Sequence, residues 1–253
     1  MGPALQRPET RPIDPFRLQP ARDLGLPPVQ RARSLQREPG LFSQLASHAW
    51  WAFAKTYLKA YHRLQITGQE HLPAEPPFVL VANHTSHLDA PMLSAALPAR
   101  HRRVAHPVSA GDVFFTRPTA SLFSALCLNA LPMKRQQMGR HALDELRTRL
   151  TDDPCILILF PEGTRSPDGT LAPFKPGLGM LVAGTPVPVV PCALLGAHAA
   201  LPKHARLPRP KKLHARLGPP LTFEHTPPTK AGWCEVATRL EQRVRQLASP
   251  TDH

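Results

Sequence analysis

The sequence predicts an α/β fold, a mixed and largely buried sheet flanked by helices, preceded by an amphipathic helix suited to a membrane surface. Three observations predict it. Short apolar runs such as FVLVA (78–82) and CILILF (155–160) have strand length and no polar interruption, the pattern of strands covered on both faces. Stretches with helical spacing of apolar residues lie between such runs, which implies crossover connections. Two of the runs end directly in dense polar clusters, where α/β folds place their sites.

Residues 1–40 hold eight prolines and seven arginines with no apolar period. Proline denies backbone donors to helix and sheet, so this stretch is expected to be a disordered basic tail. It lacks the apolar core of a secretory signal, which points to a cytosolic, reduced protein. From Leu41 the composition changes: LFSQLASHAWWAFAKTYLKAYHRL contains neither Pro nor Gly and reads as a helix over 41–64. Its polar residues Gln44, His48, Lys55, Lys59 and His62 fall on a narrow stripe interrupted by Trp51. The uncharged stretch Leu41–Ala54 has 14 residues, short of the roughly 20 a spanning helix needs. The helix is therefore expected to lie in the membrane interface, with Trp50, Trp51, Phe53 and Tyr57 towards the acyl boundary and Lys55 and Lys59 at anionic headgroups. The competing expectation is an amphipathic helix packed on the protein's own core.

Residues 65–250 then form the main domain. Strands are expected at 64–68, 78–82, 103–108, 129–133, 155–160, 187–195 and 212–217, and helices at 88–98, 118–127, 138–151, 176–184 and 229–247. Residues 176–202 carry no Asp, Glu, Lys or Arg. Pro186, Pro188 and Pro191 would break a spanning helix there, which leaves a short helix followed by a buried strand.

The 253 residues include 31 Lys and Arg against 18 Asp and Glu, a net charge of +13. Such a balance calls for an anionic partner: nucleic acid, an anionic membrane or an acidic metabolite. Cys127, Cys155, Cys192 and Cys234 contain no C-x-x-C and are too sparse for a disulfide framework, so neither a zinc site nor a redox pair is signalled. The segment 203–216 has no acidic residue and contains Lys203, Arg206, Arg209, Lys211 and Lys212. No aromatic side chain interleaves with these cations, as base stacking would require, so a nucleic-acid partner is not expected.

The first polar cluster is Asn83-His84-Thr85-Ser86-His87-Leu88-Asp89, between an apolar strand and a helical stretch. His84 and Asp89 are five residues apart, about 140° round a helix, so they meet only if His84 sits in the loop and Asp89 in the first turn. Asp89 would then hold one imidazole nitrogen and leave the other as a general base. The same residues permit a purely structural reading, because Ser86 and Asp89 also spell a capping box. The second cluster, Pro161-Glu162-Gly163-Thr164-Arg165-Ser166, follows Phe160 at another strand end. A glycine turn with a hydroxyl and a guanidinium suits a phosphate. Phe174-Lys175-Pro176-Gly177 supplies a second cation.

Taken together, N83-H84-T-S-H-L-D89, F160-P-E-G-T-R-S166, F174-K-P-G177 and V187-P-V-V-P191 resemble the glycerolipid acyltransferase family, whose best-known members are the 1-acylglycerol-3-phosphate acyltransferases. The resemblance covers roughly residues 64–220. It implies transfer of a fatty acyl group from acyl-CoA or acyl carrier protein to a hydroxyl of a lysophospholipid or glycerol phosphate, with no cofactor and no metal. His84 and Asp89 would be catalytic, and Arg135, Glu162, Gly163, Thr164, Arg165 and Lys175 would bind the acceptor, Glu162 by ordering Arg165 or a glycerol hydroxyl. The family's second block usually has a glycine where Asn129 stands here, while Arg135 keeps its arginine. With lipid substrates and an interfacial helix, the enzyme is expected peripherally on the cytoplasmic face of a membrane; a non-catalytic lipid-binding homologue, or a basic nucleic-acid-binding protein, is the alternative.

Overall fold

The structure, a computed structural model, describes residues 41–110, 131–133, 140–153, 155–205 and 207–249, together with Gly25 and Pro27. Among the described residues seven strands form one sheet: β1 Gln65–Thr67, β2 Phe78–Ala82, β3 Ala105–Ala110, β4 Leu131–Met133, β5 Ile156–Leu159, β6 Val189–Leu195 and β7 His214–Leu217. Their spatial order is β1-β7-β6-β2-β5-β3-β4. Every pairing is parallel except β6 with β7, so the sheet is mixed. The helices are α1 Leu41–Ala60, α2 Asp89–Ala96, α3 Ala99–Arg102, α4 Arg140–Asp152, α5 Gly177–Val182, α6 Ala197–Ala200 and α7 Lys230–Ala248. The expected tail 1–40 and the expected helix 118–127 lie outside the described residues, Gly25 and Pro27 excepted.

The unbroken apolar run of β2 is explained by its position. It lies between β5 and β6 with all five residues buried. Phe78, Leu80 and Ala82 point into one core, with Leu58 of α1 and Met92 and Leu93 of α2. Val79 and Val81 point into the other, with Leu146 and Leu150 of α4, Leu178 and Leu181 of α5, and Val236 and Leu240 of α7. The period of two in the strand thus feeds two helical layers.

Element boundaries differ from expectation where local chemistry intervenes. α2 stops at Ala96 because Leu97 precedes Pro98, which disfavours helical backbone at its neighbour. The short helix α3 then consumes Arg102, and β3 begins at Ala105 instead of 103. β3 pairs β5 over residues 105–107 and β4 over 108–110, with Pro107 at the changeover, where a missing N–H is tolerated. α7 starts after Thr229, whose side chain accepts the Gly232 N–H.

α1 ends at Ala60, and its packing corrects one expectation. Trp51, Ala54 and Leu58 form its buried face, so Trp51 turns inward. Leu45 and Phe53 are each 63% exposed on the outer side. His62, expected on the polar stripe, is fully buried: Nδ1 is 3.2 Å from the Lys211 carbonyl and Nε2 3.2 Å from the Tyr57 hydroxyl.

Candidate active site

β2 and β5 are parallel neighbours in the register Val81↔Leu159, so the chain leaves both strands side by side. That register joins two motifs far apart in sequence. The His84 N–H donates to Glu162 Oε1 at 2.6 Å, and the Ser166 N–H donates to the His84 carbonyl at 2.8 Å. Asn83, just past β2, acts as an extra strand rung. Its amide donates to the Leu194 carbonyl at 2.9 Å and accepts the Leu194 N–H at 2.8 Å.

His84 and Asp89 meet as their spacing allows. The imidazole Nδ1 lies 2.8 Å from Asp89 Oδ2, and Asp89 is fully buried. The same Oδ2 accepts the Thr85 N–H at 2.6 Å and the Ser86 N–H at 2.7 Å. One carboxylate oxygen therefore holds the loop that leads into α2 and contacts the imidazole. An ionised acceptor requires His84 to carry its proton on Nδ1, which leaves the Nε2 lone pair available. The ring stacks on Phe160, with centroids 4.2 Å apart and planes 21° from parallel. Ser86 is buried, and its hydroxyl donates to the Leu201 carbonyl at 2.8 Å, tying the loop to the segment after β6.

Glu162 is 3% exposed, and both its oxygens hold backbone: Oε1 the His84 N–H, and Oε2 the Ala172 N–H at 3.0 Å. Burial pushes its carboxyl above the usual range, against the pull of those two donors. It joins three segments of the site through main chain, a role in which it orients His84 more directly than Arg165. Gly163 has φ 73°, the left-handed region that glycine adopts without strain. A methyl group there would lie 2.5 Å from Lys175 Nζ, so the ammonium stands directly over the turn.

Arg165 is half-buried and Thr164 exposed. His87 is exposed at the surface, and partial desolvation with the nearby Arg165 guanidinium pushes its imidazole below the ordinary histidine value. Arg165 therefore lies close to the first motif. Lys175 has no carboxylate partner among the described residues. His84, Asp89, Glu162, Gly163, Thr164, Arg165 and Lys175 thus gather at the carboxyl ends of β2 and β5; Arg135 lies outside the described residues. Sequence reasoning missed the Asn83 clamp and the Phe160 platform. Their place at the strand ends was the available signal.

The described residues contain no cluster of three or more His, Cys, Asp or Glu side chains able to hold a metal ion. Burial pushes the Cys155 thiol up to about 11 and raises that of Cys192, so neither is an activated nucleophile.

A histidine–aspartate pair stands beside a glycine turn that carries a lysine ammonium. The chain belongs to the acyltransferase family, whose model, described as Acyltransferase, matches residues 63–195. It is 34% identical over 155 residues to the chloroplastic 1-acyl-sn-glycerol-3-phosphate acyltransferase BAT2 of Brassica napus, covering 60% of this chain and 42% of that one. It is 27% identical over 168 residues to 1-acyl-sn-glycerol-3-phosphate acyltransferase alpha of Mus musculus, covering 66% and 57% respectively. The chain spans about half the length of the curated relatives it matches. Among solved structures, the 1-acyl-sn-glycerophosphate (LPA) acyltransferase PlsC of Thermotoga maritima shares the fold, with a TM-score of 0.60 at 23% identity, covering 83% of this chain and 81% of that one.

Proposed function

We propose that this chain is an O-acyltransferase that moves a fatty acyl group from acyl-CoA or acyl carrier protein to a hydroxyl of lysophosphatidic acid or a related lysophospholipid or glycerol phosphate, in phospholipid biosynthesis. The observation that carries the reading is the 2.8 Å contact between His84 Nδ1 and Asp89 Oδ2, set beside the turn that bears Lys175 and Arg165. A glycerol hydroxyl is a weak nucleophile at neutral pH. His84 Nε2 takes its proton as the oxygen attacks the thioester carbon, and Asp89 stabilises the imidazolium. The tetrahedral adduct then collapses: the C–S bond breaks, the imidazolium gives its Nε2 proton to the departing sulfur, and the thiol leaves with His84 neutral again. Direct transfer fits better than an acyl-enzyme, since no nucleophile elbow occurs in the sequence and the two described buried thiols are held protonated. Arg165, Lys175 and the Gly163 turn bind the acceptor's phosphate, which fixes its hydroxyl against His84.

An enzyme with lipid substrates works at a bilayer surface. No helix of the described residues is long and apolar enough to cross a membrane. The outer side of α1 offers Leu45 and Phe53, the turn after it Tyr61, and the basic segment after α6 adds Leu207, 80% exposed. Tyr61 donates to the Pro208 carbonyl at 3.1 Å and His62 contacts Lys211, so apolar and basic groups share one surface. This supports peripheral attachment to anionic phospholipid on the cytoplasmic face.

The test is direct: purified protein is incubated with labelled acyl-CoA or acyl carrier protein and a panel of lysolipids, and products are identified by mass. Acylation of phosphate-bearing acceptors supports the reading. Thioester hydrolysis without acyl transfer to any acceptor contradicts it.

A further inference from the structure

The segment that presents Lys175 is fastened to a helix from the far end of the chain. Phe174 N–H donates to Glu241 Oε2 at 2.9 Å. The other oxygen of Glu241 accepts from Arg245 Nε at 3.0 Å and Nη2 at 2.9 Å, and the same Nη2 donates to the Leu171 carbonyl at 3.0 Å. From the inner side, the Ala172 N–H is held by Glu162 at 3.0 Å and the Lys175 N–H by the Pro161 carbonyl at 3.0 Å. Residues 171–175 are therefore clamped between the motif turn and α7. An ion pair of i,i+4 type on a solvated helix adds little to stability by itself. Here its free valences are directed at two backbone groups of another segment, next to the ammonium that stands over Gly163.

We infer that Glu241 and Arg245 are positioning residues for anion binding, holding the 171–175 segment so that the Lys175 ammonium faces the Gly163 turn. Neither residue touches the turn itself; both act through Lys175. The identity of the anion as an acceptor phosphate rests on the acyltransferase reading above, whereas the strap does not.

Two measurements on the full chain test this. In steady-state kinetics with lysophosphatidic acid and acyl-CoA, Glu241→Ala raises the acceptor KM, by up to about 100-fold for a misplacement near 1 Å. It leaves the thioester KM unchanged. Because Glu241 acts through Lys175, the same substitution adds nothing in a Lys175→Ala background. An unchanged acceptor KM, or an effect undiminished without Lys175, overturns the inference. Amide hydrogen exchange gives a readout independent of turnover. In Glu241→Ala the Phe174 amide exchanges about tenfold faster or more, matching loss of its charge-assisted hydrogen bond, and the Ala172 and Lys175 amides also exchange faster, while Val236 and Leu240 amides stay protected. Unchanged exchange at Ala172 and Lys175 overturns the strap. A chain that acylates no acceptor contradicts the proposed function, yet the exchange result still decides the strap.

Discussion

Asp89 carries two duties on one oxygen, and the duties separate by mutation. Its Oδ2 accepts the Thr85 and Ser86 amides and the His84 imidazole. Asp89→Ala is expected to cost activity and also about 1–3 kcal/mol of stability, since it strips buried donors of their acceptor. His84→Ala removes a partly exposed ring and should leave the denaturant midpoint near that of the wild type. Urea titrations of the two variants check this; equal destabilisation would make His84 a structural residue. Arg165→Lys keeps the charge and loses the guanidinium fork. It should raise KM for the phosphate-bearing acceptor and spare KM for the thioester. Much of this was legible at residue scale. The capping-box and catalytic readings of residues 83–89 looked like competitors in the sequence, yet one Asp89 oxygen contacts both the Ser86 N–H and the His84 imidazole. The backbone-holding role of Glu162 was not legible, because its partners depend on the register of two strands brought together from distant positions.

At the scale of elements, close approaches decide what the sequence allows. Gly179 of α5 faces α7, and a methyl there would come within 2.4 Å of the Trp233 backbone. Gly179→Ala should therefore push the two helices apart and cost about 1–3 kcal/mol, read as a lowered urea midpoint. The buried His62 links α1 to the basic segment, and burial holds its pKa below the ordinary histidine value. The unfolded chain protonates this imidazole near its ordinary value of about 6.5 while the folded chain resists. The unfolded state then binds more protons, so this contribution to stability is present at neutral pH and is lost as pH falls below that value. His62→Gln should flatten the acid side of the stability profile; an unaltered slope would contradict the assignment. The strands β2 and β5 were legible almost to the residue because both faces are buried and their apolar runs are unbroken. The helices α3 and α6, four residues each, carried no periodic signal, and α3 displaced the start of β3. The single-stripe reading of α1 could not show that Trp51 and His62 turn inward, since a helix with apolar residues on most of its circumference leaves the packed face undetermined.

For the whole molecule, sheet order produces the site: β2 and β5 bring the two polar clusters together although 78 residues separate His84 from Glu162. Charge and exposed apolar groups set its surroundings. Flotation with anionic liposomes should retain the protein at high salt in reduced amount, because headgroup attraction is screened and apolar insertion is not. Phe53→Ser should weaken the salt-resistant fraction, and complete release by salt alone would show attachment to be purely electrostatic.

In the proposed mechanism His84, oriented by Asp89, is the base for acyl transfer to a phosphate-bearing acceptor. Single-turnover transfer of a labelled acyl group from acyl-CoA to lysophosphatidic acid, compared between wild type and folded His84→Ala, tests it most directly. A loss of roughly 10²–10⁴ in the chemical step is expected, with acceptor binding retained. A folded His84→Ala protein that transfers the acyl group at near wild-type rate would contradict it.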